Sequence, residues 1–556
     1  MAKAMGLNTI FSYLYWDQIE PVQGTFVTDG NSNIAAWVRA VDAAGLKIVL
    51  RPGPYICGEH EWGGFPSWLA TIPGMVVRSN NDPFLAATKS YLSHLGKLLA
   101  PYTAMKGGPI LMAQVENEYG FYGNDHTYTA ALADLFKDSL GIPLYTNDGG
   151  SESAVEAGAI PGVLAETDGG FDPQYRDKYA PASSQGPFLN GEWYMTWIDK
   201  WGGDKHQTNS GDANKISLLG AQLVTALKSG YSFSIYMFHG GTNWGYQNGA
   251  NYGDSLEPVT TSYDYGAPLD ESGRPTDIYN GLRKSLISFL GSDNVPAVPK
   301  VAPMISISSL SVKPYLSMFD ALPPPTTADS AQSFEALGQA TGFVLYRYKA
   351  TASVSGALKV GDAPRDRVIV YINKERVGIW DSTKPSPKEV SVTLKAGDML
   401  DMLVENLGRV NFGNRIPDQR RGVVGDVTIG DTTIKGFLQY KLPSDTAPEK
   451  APAGVGAPTP NSSATPIWYK ATFDLPTVGD TFLELPGWTK GVVFVNGVNL
   501  GRFWIIGPQQ SLYVPGVYLK AKHNVLSVLN LEPKGDEGPL KGVTSRTWST
   551  NPDPDS

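Results

Sequence analysis

The feature that most constrains this chain is an alternation, over residues 1–292, of short apolar segments with longer segments whose apolar residues recur at helical spacing. Short apolar runs predict buried strands, and the longer segments predict helices. Repeated strand–helix units are typical of a parallel sheet covered by helices. The predicted strands are Asn8–Trp16, Lys47–Gly53, Ile110–Glu118, Leu144–Asp148, Gly162–Asp168, Pro187–Trp193 and Tyr231–Gly241. The predicted helices include Asn33–Ala44, Pro83–Leu99, Thr127–Leu140, Ala213–Ser229 and Ile278–Leu290.

A (β/α)8 TIM-type barrel is the fold that this pattern favours, with a doubly wound sheet as the alternative. The pattern contains seven strands, whereas such a barrel has eight. The segment Met1–Met5 resembles the end of a helix that stops at Gly6, and a strand follows at once. We therefore expect an N-terminally truncated barrel whose first strand would precede Met1.

The pattern changes at about residue 293 to short alternating strands separated by turn residues. This arrangement is typical of antiparallel sandwiches, so we expect two β-sandwich or jelly-roll-like domains after the barrel. The predicted division is a catalytic barrel over 1–292, a linker and the start of the first β domain over 293–330, the first β domain over 331–445, a Pro-rich linker over 446–466 and the second β domain over 467–556.

The charge balance excludes two classes of partner. The 556 residues include 45 Lys and Arg against 54 Asp and Glu, which gives a net charge of −9. This balance repels phosphate backbones and anionic lipids, so we expect neither nucleic acid nor a membrane as a partner. The 13 Trp, 27 Tyr and 20 Phe suit a sugar, because aromatic rings can pack against the apolar C–H faces of a pyranose.

Two predicted strands end in carboxylates, which is where barrel active sites lie. One is the segment 108–120, which contains Glu116-Asn117-Glu118, and the other is the segment 188–194, which contains Glu192. Ionisable groups against a sheet core cost free energy unless they are paired or used. We expect Glu116 to belong to a buried polar network, and Glu118 and Glu192 to be functional. Alternation does not rank Glu116 against Glu118, since residues two apart share a face of a regular strand.

A pair of glutamates at the mouth of a barrel fits glycoside hydrolysis. That reaction needs one protonated and one ionised carboxyl group on opposite sides of the scissile bond. A separation of about 5–5.5 Å gives retention of anomeric configuration, and about 6.5–9.5 Å gives inversion. The spacing of Glu118 and Glu192 in the sequence leaves both outcomes open.

Several motifs resemble glycoside hydrolase family 35, the β-galactosidases. The most specific is Gly107-Gly108-Pro109-Ile110 followed by Gln114-Val115-Glu116-Asn117-Glu118-Tyr119-Gly120. Further similar blocks are Arg51-Pro52-Gly53-Pro54-Tyr55-Ile56-Cys57, Gly240-Gly241-Thr242-Asn243, Thr261-Ser262-Tyr263-Asp264-Tyr265-Gly266-Ala267-Pro268-Leu269, Leu403-Val404-Glu405-Asn406-Leu407-Gly408-Arg409-Val410-Asn411-Phe412-Gly413 and Asn499-Leu500-Gly501-Arg502-Phe503-Trp504. The resemblance thus covers nearly the whole chain, and it implies that the second β domain is similar to galactose-binding modules.

The resemblance implies an exo-acting retaining β-galactosidase that needs no metal or organic cofactor. Glu118 matches the proton donor and Glu192 the nucleophile. Asn117 would hydrogen-bond the sugar 2-OH, and Tyr236 would lie near the nucleophile. The expected galactose contacts are Tyr13, Glu59 and Tyr265. The implied substrate is a β-galactoside oligosaccharide or glycoconjugate, and relatives work in lysosomes, outside the cell or in the periplasm.

Two departures from the family pattern keep alternatives open. A barrel without its first strand would have an open edge and would lack one polar side chain of the site wall. Cys57-Gly58 also stands where some relatives carry Asn-Ala. The alternatives are another exo-β-glycosidase on this scaffold, such as a glucosaminidase or galactanase, and a non-catalytic carbohydrate-binding protein.

Overall fold

The first half of the chain is a nearly closed parallel barrel. The computed structural model describes residues 1–363 and 365–554. Its seven barrel strands pair in chain order, each parallel to the next. They are β1 (Thr9–Tyr13), β2 (Lys47–Arg51), β3 (Ile110–Gln114), β4 (Leu144–Asp148), β5 (Leu164–Thr167), β6 (Leu189–Tyr194) and β7 (Ser232–Tyr236). The TIM-type fold and the seven strands confirm the prediction.

Helices separate successive strands and cover the barrel. They are α1 (Ala2–Met5), α2 (Trp16–Ile19), α3 (Ile34–Ala43), α4 (Asp82–Leu99), α5 (His126–Leu140), α6 (Glu152–Gly158), α7 (Gln174–Tyr179), α8 (Ala213–Lys228) and α9 (Asp277–Leu290). Their ends follow local chemistry: the Asp125 side chain caps α5 by accepting from two backbone N–H groups, and Gly141 ends it in the left-handed conformation. The short α2, α6 and α7 are absent from the predicted helices, because fewer than two turns carry little periodic signal.

The barrel is open between β1 and β7, the two edge strands of the sheet. A cavity of about 820 Å³ lies there, with a mainly apolar lining that includes Ile10, Phe233 and Leu286. At the carboxyl ends of the two strands the Tyr13 hydroxyl donates to the Tyr236 hydroxyl over 3.0 Å, so side chains bridge the gap at this end. The expected open edge is therefore present, but it is spanned where the candidate site lies.

The sheets that follow the barrel are antiparallel. A six-stranded sheet contains Thr326–Ala328, Phe437–Leu442, Phe343–Lys349, Met399–Glu405, Arg367–Ile372 and Glu375–Asp381, in that spatial order. A four-stranded sheet contains Ser391–Leu394, Val354–Val360, Val427–Ile429 and Thr432–Thr433. Buried apolar side chains such as Val344, Val368 and Val404 form the core of this region.

The C-terminal region is built in the same way. A five-stranded sheet contains Lys313–Ser317, Ile467–Phe473, Asn524–Asn530, Lys490–Val495 and Val498–Trp504, and a four-stranded sheet contains Ile307–Leu310, Leu540–Val543, Thr481–Glu484 and Ser511–Val514. Two of these strands, within 307–317, come from the segment expected to hold a linker and the start of the first β domain. They pair instead with strands of the C-terminal sheets.

The two β regions pack against each other through apolar faces, where Phe343 and Leu403 meet Trp468 and Phe494. Buried ion pairs add to this contact: Glu405 accepts from both Lys490 and Arg502. Arg502 also donates to Asn248, which follows β7 in the chain. Within 1–363 and 365–554, no helix combines the length and apolar character needed to cross a bilayer.

Candidate active site

The site begins where β3 ends, at Gln114, four residues before the predicted end of the strand. Beyond it, Glu116 (φ 60°) and Glu118 (φ 46°) both adopt the left-handed backbone conformation. That conformation costs a non-glycine residue about 1–2 kcal/mol. It also breaks the strand alternation, so the two glutamates do not share a face and have different neighbours.

Glu116 lies in a buried polar network, as predicted. Its carboxylate accepts from Arg78 at both oxygens, over 3.1 and 2.8 Å. It also accepts from the Tyr128 hydroxyl over 2.8 Å and from the backbone N–H of Asn117 over 2.8 Å. The Arg78 guanidinium lies 3.6 Å from the centre of the Tyr55 ring. Every oxygen of this carboxylate is thus occupied by partners within the protein.

Glu118 faces a different environment. It accepts a hydrogen bond from Asn117 Nδ2 over 3.2 Å. Burial, followed by the nearby charges of Glu192 and Glu59, raises the pKa of the Glu118 carboxyl to about 8. Burial and the charges of Glu118 and Glu192 likewise raise the pKa of Asp168, which follows β5. This corner therefore concentrates carboxyl groups that favour the protonated form.

Glu192, on β6, is held by a cation. Its Oε1 accepts from the Arg51 guanidinium in a buried ion pair, and its Oε2 accepts from the Tyr194 hydroxyl over 3.0 Å. Arg51 ends β2 and also donates to Asn117 Oδ1, so one arginine links the two glutamate segments. The contact with Arg51 is a charge-assisted hydrogen bond, which is stronger than a hydrogen bond between neutral groups.

A chain of tyrosines connects the barrel gap to Glu59. Tyr13 donates to Tyr236, whose hydroxyl is 3.0 Å from that of Tyr263, and Tyr263 donates to Glu59. Burial raises the pKa of Glu59 to about 7, and the hydrogen bond from Tyr263 opposes that shift. The Arg51 guanidinium lies 4.4 Å from the centre of the Tyr13 ring, which holds this tyrosine beside the Arg51–Glu192 pair.

The loop that carries Glu59 is strained. Cys57, Glu59 and Trp62 all have positive φ, between 44° and 54°. Such conformations persist only where surrounding contacts fix them. Two of these contacts come from the first β region: Trp62 Nε1 donates to the Ile416 carbonyl over 2.9 Å, and Asn411 Nδ2 lies 3.5 Å from Cys57 Sγ.

A buried ion pair completes this anchor. Glu61 accepts from the backbone N–H of Arg409 over 2.7 Å and from its guanidinium. The same guanidinium also donates to Glu335. Because Glu61 is two residues from Glu59, the first β region fixes the position of the loop that enters the site.

All seven residues predicted for the site line one cavity of about 90 Å³: Tyr13, Glu59, Asn117, Glu118, Glu192, Tyr236 and Tyr265. The lining also includes Tyr194, Trp197, Asn251 and Phe412, which the sequence did not single out. Arg51 lies behind Glu192. An arginine at the end of an apolar strand was the available signal for it, since a buried charge requires a partner. Phe412 lies in one of the blocks that resemble the family, but that block follows the barrel in the chain and was not assigned to the site.

The cavity presents two carboxyl groups in different surroundings: burial and like charges raise the pKa of Glu118, whereas Glu192 is paired with Arg51. Within the described ranges, no group of three or more His, Cys, Asp or Glu side chains is placed to hold a metal ion. The pair formed by Glu118 and Glu192 thus has the components of acid-assisted displacement at an acetal carbon.

Three family models match the chain. The model described as "Glycosyl hydrolases family 35" matches residues 1–289. "Beta-galactosidase, first all-beta domain" matches residues 331–443, and "Beta-galactosidase, galactose-binding domain" matches residues 466–524.

Curated relatives are similar over almost the whole chain. A "Beta-galactosidase" of Xanthomonas manihotis is 37% identical over 529 residues, covering 92% of this chain and 85% of the relative. "Beta-galactosidase-1-like protein 3" of Homo sapiens is 35% identical over 94% of this chain and 80% of its own length. A "Beta-galactosidase" of Canis lupus familiaris is 33% identical over 97% of this chain and 84% of its own length.

Proposed function

Because the chain belongs to the glycosyl hydrolases family 35, we propose that it is an exo-acting retaining β-galactosidase that releases terminal non-reducing β-D-galactose. The observation that carries this proposal is that Glu192 and Glu118 line one cavity but have opposite surroundings. Glu192 is paired with Arg51, whereas burial and like charges raise the pKa of Glu118 to about 8. Opposite surroundings for the two carboxyl groups support the roles of nucleophile for Glu192 and acid for Glu118.

The choice of substrate is supported by the relatives. Those named above carry the name β-galactosidase or β-galactosidase-like protein, and they cover nearly the full chain. The cavity is small, at about 90 Å³, which suits recognition of the end of a sugar chain rather than its middle. The substrate would be an oligosaccharide or glycoconjugate that ends in β-galactose.

The first chemical step forms a covalent galactosyl-enzyme. The ionised Glu192 carboxylate attacks the anomeric carbon, and the bond from that carbon to the leaving oxygen breaks. Glu118 gives its proton to this oxygen as the bond breaks. In this proposal Asn117, which donates a hydrogen bond to Glu118, also bonds the 2-OH of galactose beside the reacting carbon.

The second step releases β-galactose. Glu118, now ionised, removes a proton from a water molecule that attacks the anomeric carbon, and Glu192 leaves as a carboxylate. Once Glu192 is esterified, one of the charges that raises the pKa of Glu118 is gone. The pKa of Glu118 therefore falls between the two steps, which suits its change from acid to base.

Galactose recognition is assigned to Glu59 and the tyrosines around it. Glu59 is positioned by Tyr263 and by its strained loop, and Tyr13, Tyr236 and Tyr265 offer hydroxyls at the cavity wall. A buried site built for hydroxyl groups discriminates strongly against analogues that leave its polar atoms unpaired. On this basis Glu59 is a contact for the galactose hydroxyls.

The division of the chain is part of the same proposal. Residues 1–292 form the catalytic barrel, and 331–445 and 467–556 form β domains that brace it, the second of which also includes the strands within 307–317. The contacts of Asn411, Ile416 and Arg409 with the Glu59 loop support bracing.

Hydrolysis of an aryl β-galactoside followed by proton NMR tests the proposed function. The anomeric signals of the first-formed sugar should be those of β-galactose, with the α-anomer appearing later by mutarotation. First appearance of α-galactose would exclude retention. Faster cleavage of another aryl β-glycoside would assign a different sugar, and binding without cleavage would favour a carbohydrate-binding protein.

A further inference from the structure

An exposed phenylalanine of the catalytic cavity, Phe412, contacts a second exposed phenylalanine, Phe121. Phe121 is 52% exposed and Phe412 is 39% exposed. Their ring centroids are 6.4 Å apart and the rings are inclined at 67°, an edge-to-face arrangement. Phe412 also lines the cavity that contains Glu118 and Glu192. Two large apolar side chains are thus kept in contact with solvent beside the reacting groups.

Phe121 is fixed by the segment that carries the proposed proton donor. Its backbone N–H donates to the Glu118 carbonyl over 3.1 Å. Its ring packs directly on Gly149, after β4, where an added Cβ would lie 2.0 Å from a ring carbon. Gly149 therefore leaves the space that the ring occupies, and the position of Phe121 is tied to that of Glu118.

Phe412 is fixed by the first β region. The preceding residue, Asn411, accepts from the Tyr55 hydroxyl at its carbonyl, and its side-chain amide contacts Cys57 Sγ and lies 3.3 Å from Asn251 Oδ1. These contacts join Asn411 to the loop that carries Glu59. The ring of Phe412 is consequently held against the barrel although it comes from another domain.

The proton transfer from Glu118 indicates which part of the substrate Phe121 and Phe412 face. Glu118 protonates the oxygen that joins galactose to its leaving group, so the leaving group must lie on the side of Glu118. Phe121 is three residues from Glu118 and donates its backbone N–H to the Glu118 carbonyl. In contrast Trp197, an exposed aromatic residue of the cavity wall, follows Glu192 and has its ring centre 5.6 Å from that of Tyr194. The aromatic pair is therefore on the side of the leaving group.

We propose that Phe121 and Phe412 form a leaving-group site that binds a pyranose ring through its apolar C–H face. This inference rests on the proposed function and specifies its substrate as a galactoside with a sugar ring next to the scissile bond. Phe has no polar tip, so the pair contributes apolar contact rather than hydrogen bonds, and it tolerates different hydroxyl configurations. A site shared between barrel and β domain also gives the β domain a direct role in substrate selection.

A pair of substrates isolates this contact. β-Galactosyl fluoride has no ring in its leaving group, whereas lactose has a pyranose there. We expect Phe412→Ala to lower the ratio of kcat/KM for lactose to kcat/KM for β-galactosyl fluoride by about 10-fold, the scale of a lost apolar contact in a binding pocket. Phe121→Ala should lower the same ratio. Phe412→Tyr keeps an aromatic ring, so its ratio should stay close to that of the unaltered protein.

The matched control is Phe289→Ala, which removes another phenylalanine that is 39% exposed, on α9. It should leave the ratio unchanged. Turnover of β-galactosyl fluoride reports whether each variant has folded, because cleavage of this substrate needs Glu192 in an intact site.

The inference is overturned if the ratio is unchanged in both phenylalanine variants, whether the two rates stay the same or fall by the same factor. A fall of the ratio in Trp197→Ala with no change in the phenylalanine variants would assign the leaving-group contact to Trp197 instead. These outcomes leave the proposed function standing, and that function fails instead if the unaltered protein cleaves neither substrate.

Discussion

The surroundings of Glu116 and of Glu118 differ although the two residues are neighbours at the end of β3. Glu116 is paired with Arg78 and accepts four hydrogen bonds. Glu118 lies among carboxyl groups, and the pKa of its side chain is raised to about 8 by burial and then by the charges of Glu192 and Glu59. The Glu116 carboxylate is paired within the protein and has a structural role, whereas the Glu118 carboxyl group is left able to hold and release a proton.

The difference comes from the backbone. Left-handed conformations at both glutamates turn the chain so that Glu116 meets Arg78 and Tyr128, while Glu118 meets the cavity. A regular strand would have directed both side chains to one face. The absence of a cationic partner such as Arg78, together with a position at a strand end, therefore distinguishes the functional Glu118 from Glu116.

The largest effect is expected at Glu192. Glu192→Ala should lower kcat for an aryl β-galactoside by about 10⁴- to 10⁶-fold, because the attacking carboxylate is gone. Added azide should restore turnover by attacking from the same side, and the product should be α-galactosyl azide. With Glu118→Ala the product under azide should be β-galactosyl azide. If both variants give the same anomer, the two roles are wrongly assigned.

The next largest effect separates acid catalysis from binding. Glu118→Gln should lower kcat/KM by about 10²- to 10⁴-fold for a galactoside with a poor leaving group. The loss should shrink for 2,4-dinitrophenyl β-galactoside, whose leaving oxygen needs no proton. Rates measured across a series of aryl leaving groups check this expectation. A loss that does not depend on the leaving group would contradict the role of proton donor.

Substitution of Glu116 should lower the free energy of unfolding more than substitution of Glu118 does, the reverse of their expected effects on activity. Glu116→Gln leaves Arg78 without its carboxylate, and breaking a buried pair costs about 3–5 kcal/mol. Thermal or urea unfolding measures this loss, and Glu156→Gln, at an exposed position on α6, is the control that should change stability by no more than about 0.5 kcal/mol. Equal stability of Glu116→Gln and the control would remove the distinction between a structural and a functional carboxylate.

Glu118→Gln is expected to stabilise the fold. The pKa of Glu118 is raised from its ordinary 4.5 to about 8 in the folded protein, so the native state holds this proton more tightly than the unfolded chain. Ionisation of Glu118 opposes folding increasingly as the pH rises from about 4.5 to about 8. The gain in melting temperature should therefore be largest near pH 8 and vanish below pH 4.5, and a gain that is independent of pH would contradict it.

The smallest expected effect is a shift of the pH profile. Activity requires protonated Glu118, so kcat/KM should fall as the pH rises through about 8. Glu59→Gln removes one of the charges that raise the pKa of Glu118, and the alkaline limb should move to lower pH. An alkaline limb that stays in place would show that Glu59 does not interact with the acid.

The sequence predicted the parts of the molecule that repeat or that follow from strand ends. The alternation of apolar strands and helices predicted β1–β7, and the carboxylates after β3 and within β6 marked Glu118 and Glu192. The choice of Glu118 over Glu116 required the family resemblance, because the left-handed conformations that separate them leave no signal in the residue types. The strand count also predicted the open edge between β1 and β7.

Contacts between distant segments could not be predicted. Phe412 lines the cavity, and Arg409 pairs with Glu61 across 348 positions of chain, yet neither follows from a local pattern. The hydrogen bond between Tyr13 and Tyr236 that spans the barrel gap depends on where two strands end in space. These features required the three-dimensional arrangement of the domains.

The most direct measurement of the central claim is covalent trapping with 2-deoxy-2-fluoro-β-galactosyl fluoride. The fluorine at C2 slows both steps, whereas the fluoride leaving group lets the first step proceed, so the galactosyl-enzyme accumulates. Peptide mass spectrometry should find the fluorosugar attached to Glu192 at one equivalent per chain, with activity lost in proportion. Attachment to Glu118, Glu59 or any other residue would contradict the account.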